Sequence, residues 1–187
     1  MKNIKIKNAI LIKLHSINRM KDIHIVRKRI IYYAIYQYNI INYRHYIYYI
    51  AKYSDNVDLQ RILSKDSNIL IGLGLAINLN IDVSLQQIFA NDKNFWAKSY
   101  LAQNPNIDPL TQEILAISER GEVRSSLATN PNITLSAQQI LAFDISSGVR
   151  STLAENPNID ISIRNILEND EDDIVRILAK KLKNDNE

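Results

Sequence analysis

Hydrophobic and polar positions recur along this chain with a fixed period. Leu101-Ala102-Gln103-Asn104-Pro105-Asn106-Ile107 returns as Leu127-Ala128-Thr129-Asn130-Pro131-Asn132-Ile133 and again as Leu153-Ala154-Glu155-Asn156-Pro157-Asn158-Ile159, 26 residues apart each time. One period earlier stands Leu75-Ala76-Ile77-Asn78-Leu79-Asn80-Ile81, and one period after Val149-Arg150 stands Val175-Arg176. A degenerate copy covers Ile50 to Asp66, so about four good repeats and one worn one run from near residue 50 onward.

Each repeat reads as two helices. Asn before Pro is biased away from the helical region and Pro cannot donate an N–H, so Asn-Pro-Asn ends one helix and turns the chain. Two residues after the second Asn stands Asp82, Asp108, Thr134 or Asp160, a residue type whose side-chain oxygen caps a new helix, and Pro109 fits the first helical position. Leu110, Ile114 and Leu115, then Leu135, Ile140 and Leu141, follow helical spacing and are expected to form the buried face of this longer helix. It is expected to stop near Asp92, Ser118, Asp144 or Asp170. A second, short segment then carries Trp96-Ala97-Lys98, Val123-Arg124, Val149-Arg150 or Val175-Arg176 into the Leu-Ala pair, whose small Ala permits close approach.

One narrow apolar face per repeat cannot form a core alone, but stacked copies bury it continuously. The expected fold is all-α: an α-solenoid of about five 26-residue repeats, each an α-helix plus a short or 3₁₀ helix, preceded by a basic helical N-terminal head. The pattern Val-Arg-x-x-Leu-Ala-x-Asn-Pro, with an Asp and a helix following, resembles the leucine-rich repeat variant (LRV) family over residues 50–182. That resemblance implies units pairing an α-helix with a 3₁₀ helix in a right-handed superhelix. Some members carry a cysteine-rich iron–sulfur module ahead of the repeats. This chain has no cysteine, so no cluster and no redox role transfer to it.

Charge divides the sequence near residue 52. The net charge is +3, yet residues 1–52 hold eleven Lys or Arg against the single acid Asp22, and residues 53–187 hold twelve against nineteen. Nine of the ten tyrosines lie between Tyr32 and Tyr53. The expected organisation is therefore a basic, Tyr-rich head over residues 1–52 and an acidic repeat body over 53–187. Ile23, Val26, Ile30, Ala34, Tyr38 and Ile41 follow the spacing of an amphipathic capping helix, with Asp22 as a candidate N-cap.

The longest apolar run, Ile69 to Ile77, is far shorter than the roughly 20 residues a membrane-spanning helix needs, and Ile30 to Ala51 is interrupted by Gln37, Asn39, Asn42, Arg44 and His45. Met1 to Leu14 shows no secretory signal pattern, although its acid-poor character also suits an organelle presequence. The expectation is a soluble cytoplasmic protein.

Four candidate chemistries remain. Lys98, Arg124, Arg150 and Arg176 form a once-per-repeat ladder of cations that could grip a phosphate backbone or an acidic peptide. Asp92, Asp144 and Asp170 precede three of these cations by six residues, and a ladder bridged to neighbouring acids would be structural instead. Arg27, Lys28, Arg29 and Arg44, interleaved with tyrosines, suit single-stranded nucleic acid, whereas the same stretch as a cap would pack its aromatics on the first repeat; an anionic membrane surface is a third reading. Glu168, Asp170, Glu171, Asp172 and Asp173 could attract a hard cation but lack the order of a calcium loop, and read as a solvated face. Gly72-Leu73-Gly74 lacks the third glycine and the preceding strand of a dinucleotide-binding turn. His15, His24 and His45 have no metal-binding spacing, and without cysteine there is no thiol nucleophile. No enzyme activity, cofactor or metal is expected. The sequence points to a protein-binding scaffold, with nucleic-acid binding as the alternative.

Overall fold

The computed structural model describes residues 43–184 apart from residue 67, with side chains described from Ile47 to Lys181. The capping helix expected between Ile23 and Ile41, and with it Arg27, Lys28 and Arg29, lies outside the described residues. Among those residues there are eleven α-helices and no strand, so the fold is all-α. The chain forms two compact units, Met1–Leu85 and Gln86–Glu187.

The first unit contains α1 (Tyr43–Tyr53), α2 (Val57–Leu63) and α3 (Ile69–Ala76), with the point of division falling inside α4 (Val83–Ala90). The composition break at residue 52 lies within α1, which packs against α3. Gly74 permits that packing: a Cβ there would sit 2.8 Å from the Tyr48 carbonyl oxygen and 3.1 Å from the Ala51 Cβ. Of the Gly-Leu-Gly segment, Gly74 thus serves a helix–helix contact, while a Cβ on Gly72 would meet nothing within 4 Å. Ile50 and Ala51, both fully buried, take the place of the Leu-Ala pair, and Asn78 Nδ2 donates to the carbonyls of Ala51 and Ser54, each at 2.7 Å. The worn copy therefore keeps the repeat's contacts with Ser54 where other copies have Asn.

The second unit continues with α5 (Phe95–Ala102), α6 (Pro109–Ala116), α7 (Gly121–Ala128), α8 (Leu135–Ala142), α9 (Ser147–Ala154), α10 (Ile161–Leu167) and α11 (Asp173–Asn184). The helices stack in two rows, α6 on α8 on α10 and α5 on α7 on α9 on α11, which is the arrangement of an α-solenoid. Leu101, Leu127 and Leu153 are fully buried with the alanines that follow them, and Leu75-Ala76 is buried likewise in the first unit. Each such leucine contributes about 1.5–3 kcal/mol by leaving water. The two helices of a repeat are equal in length at eight residues in α6, α7, α8 and α9, so the expected contrast of longer and shorter helix is absent.

The caps form as the sequence requires. Asp108 accepts hydrogen bonds from the Leu110 and Thr111 amides ahead of Pro109, Thr134 from Ala137, and Asp160 from Ser162. The buried face of the first helix differs from expectation. Leu110 is 54% exposed and Leu135 46%, and Ile140 is exposed as well. Leu115 and Leu141 are buried as expected, and the rest of the inward face is Thr111, Gln112 and Ala116 in α6 and Ala137, Gln138 and Ala142 in α8.

Glutamine belongs on that face because it joins successive repeats. Gln112 Oε1 accepts from the Thr134 amide at 2.8 Å while its Nε2 donates to the Asn132 carbonyl at 3.1 Å. Gln86 makes the same pair of bonds to Asp108 and Asn106, and Gln138 Oε1 accepts from the Asp160 amide at 2.7 Å. In the first unit Gln60 does the same to Asp82 and Asn80, both at 2.8 Å. Asparagine supplies a second row: Asn130 Nδ2 reaches the carbonyls of Ala102 and Asn104, and Asn156 Nδ2 those of Ala128 and Asn130. Each Asn also accepts from the amide two residues on, which fixes the Asn-Pro-Asn turn. At the next step of the glutamine row stands Arg164, whose guanidinium donates to the carbonyls of Ala179 and Asn156.

Two substitutions check this packing. Leu127→Ala is expected to destabilise the protein by about 2–5 kcal/mol, the range for a core leucine. Gln112→Ala leaves the Thr134 amide and the Asn132 carbonyl without their partner and is expected to cost about 1–3 kcal/mol. Urea unfolding followed by circular dichroism measures both. A Gln112→Ala chain as stable as the parent would remove the glutamine row as a structural device.

Candidate interaction surface

Two consecutive turns of the second unit place the cation ladder. Asp144 and Asp170 lie between the helices of their repeats, where the carboxylate accepts from the amide two residues on, Ser146 and Asp172, and so sets up the next helix. The same carboxylate faces the preceding repeat. Arg124 meets Asp144 in a two-pronged pair, with Nη2 to Oδ1 at 2.9 Å, and Arg150 meets Asp170 through Nε to Oδ2 at 2.8 Å and Nη2 to Oδ1 at 3.0 Å. The remaining guanidinium nitrogen, Nη1, donates at 2.6 Å to the carbonyl six residues upstream, Ser118 for Arg124 and Asp144 for Arg150. The Asp six residues before Arg150 thus contributes its backbone to that cation and its side chain to the cation one repeat earlier.

These are interior pairs. The side chains of Arg150 and Asp170 are each 7% exposed. Both arginines are held above their ordinary pKa, first by the hydrogen bond each donates to Asp144 or Asp170 and against the opposing effect of burial. Burial pushes the Asp170 carboxyl up, but the Arg150 hydrogen bond, the Asp172 amide and the Arg150 charge together hold it below the ordinary carboxylate value. Two positions of the ladder differ. Lys98 has Ser118 where Arg124 has Asp144, and its ammonium makes no ion pair among the described residues. Arg176 pairs with Asp173 one turn away on its own helix and donates to the Asp170 carbonyl. Of the other sequence candidates, Arg44 lies in α1 with its side chain outside the described residues, while Arg27, Lys28 and Arg29 are outside altogether.

Of the five acids from Glu168 to Asp173, four are engaged one by one, while the buried Oε1 of Glu168 has no hydrogen-bond partner among the described residues. Asp170 and Glu171 face Arg150, Asp172 caps α11 through the Ile174 amide, and Asp173 faces Arg176. Among the described residues no three His, Asp or Glu side chains converge as a metal site. No helix among them is long and apolar enough to cross a membrane.

The surface carries apolar columns, and of their members only Ile140 was expected in the interior. Ile117 and Phe143 occupy one repeat position, immediately after the first helix, and are 71% and 74% exposed; Ile145 nearby is 94% exposed. Ile140 and Ile166 share a second position and are also exposed. Phe143, Ile145 and Ile166, with Arg150, Asn169 and Glu171, line an open cleft of about 420 Å³ between successive repeats. No family model, curated protein or solved structure matches the chain.

Arg150→Ala strands a buried carboxylate and is expected to destabilise the protein by about 3–5 kcal/mol. Lys98→Ala, which breaks no ion pair, is expected to cost much less. Equal losses in denaturant unfolding would contradict the geometry. Because the folded Asp170 pKa is depressed, its stabilisation is complete above the ordinary value of 3.8 and is lost as pH falls through the folded value. In Asp170→Asn the fall of stability with acid below about pH 4 should accordingly be shallower than in the parent, as read from urea midpoints across that range.

Proposed function

We propose that this chain is a non-enzymatic helical-repeat scaffold of the LRV type that binds a protein partner through its repeat surface. The carrying observation is the division of labour among side chains in the second unit. Arg124 and Arg150, two members of the ladder offered for phosphate, have their guanidiniums taken by Asp144, Asp170 and backbone carbonyls. Ile117, Phe143 and Ile145 are left to solvent in successive repeats. An exposed apolar row on a rigid frame, rimmed by carboxylates, supports protein contact and disfavours a polyanion.

A second reading rests on the charge split: eleven cations, one acid and eight tyrosines precede Tyr53, the composition of a surface for single-stranded nucleic acid. Titrating the full chain with a labelled single-stranded RNA at low and at high salt separates the two. The scaffold reading expects no measurable binding at low salt. Binding that weakens steeply with salt, and whose salt slope flattens by roughly two to three on neutralising Arg27, Lys28 and Arg29 together, at about 0.7–0.9 per phosphate contact, would replace it with the nucleic-acid reading.

A further inference from the structure

The cleft beside Phe143 combines three properties. Its apolar wall is formed by side chains that stay in water when the repeats fold: Phe143 and Ile145 are 74% and 94% exposed. Its other end is anionic, because Arg150 faces both Asp170 and Glu171 and so leaves one carboxylate charge in excess. Glu171 is the solvent-facing member, with its side chain 87% exposed, and Asp172 and Asp173 follow it. The apolar wall also extends by one period to Ile117, so the edge offers anchor points at the spacing of stacked helices, about 8–10 Å. A polyproline-type peptide advances about 9 Å in three residues and then presents the same face again.

We infer that this edge is the docking site for a short extended segment of a partner protein, with large apolar side chains at every third position and a Lys or Arg at the end that meets Glu171. The inference rests on the protein-binding reading above and gives it a site and a ligand chemistry. Charge complementarity selects the cation: a carboxylate in that place would meet the excess negative charge at Glu171, which like charge disfavours. The polar ends of the apolar column, Asn91 and Asn169 at the position of Ile117 and Phe143, confine the site to the repeats between them.

Those asparagines also supply a variant that the fold accepts. Phe143→Asn installs the residue that two other repeats, at Asn91 and Asn169, already carry at this position, and Glu171→Gln keeps the size of an exposed side chain while removing its charge. A display library of short random peptides is selected on the full chain, and the enriched sequences are made as fluorescent peptides. The expected enrichment is for apolar residues at every third position beside Lys or Arg. Binding of those peptides should weaken tenfold or more in Phe143→Asn and in Glu171→Gln while the thermal unfolding midpoints stay at the parent value. Enriched peptides without a cation, or peptides insensitive to both substitutions, would overturn this site and leave the scaffold reading in place. Failure to enrich any peptide would overturn this site, and together with salt-sensitive RNA binding it would overturn the scaffold reading as well.

Discussion

The structure depends on side-chain amides that satisfy the backbone of an adjacent repeat. Helices of eight residues leave roughly half of their amides and carbonyls without intrahelical partners, and stacking such helices would bury those groups unless another donor or acceptor arrived. Glutamine is suited to this because one end accepts and the other donates. Gln112 uses Oε1 on the Thr134 amide and Nε2 on the Asn132 carbonyl, and asparagine closes the opposite end by donating to Ala102 and Asn104 from Asn130. The leucine and alanine columns can be dry because the polar backbone beside them is satisfied.

Much of this was legible in the sequence and some was hidden by the rule used to read it. The period, the turn at Asn-Pro-Asn, the caps at Asp108, Thr134 and Asp160 and the buried Leu-Ala pair are local features, each tied to a residue type with one dominant use. The inward face of the first helix is not. Hydrophobic spacing selects Leu110 and Leu135, but these sit in the first turn and point outward, and the true inward positions include Gln112 and Gln138, which a search for apolar residues passes over. Gln60, Gln86, Gln112 and Gln138 recur every 26 residues, so the period itself carried the signal that polarity concealed. The ladder shows a related effect. The sequence offered a bridge from each cation to a neighbouring acid or helix end without saying which, and stacking selects the acid twenty residues ahead of Arg124 and Arg150 and leaves the residue six before to offer its carbonyl.

The arginine pairs and the amide rows differ in what they contribute. An interior pair such as Arg150 with Asp170 is costly to desolvate and gains little over an apolar contact, but it tolerates no mismatch between repeats, since either partner alone is a buried charge. It therefore fixes which turn lies beside which helix. Where the acid is missing, as at Ser118, the cation is the less demanding Lys98, half-buried with a long, flexible stem.

The glutamine row has a consequence for how such a protein changes length. Each repeat supplies one glutamine and one capped turn whose amide meets the previous repeat's glutamine Oε1, so the junctions share this bond even where Lys98 and Ser118 replace an Arg–Asp pair. Excising or duplicating a block of 26 residues upstream of Arg164 rejoins a glutamine to an equivalent turn, and no buried amide is orphaned. Unequal recombination within the coding sequence could lengthen or shorten the array without first inventing a new interface. Arg164, which departs from the row and binds Ala179 and Asn156 instead, is the position at which that interchangeability stops.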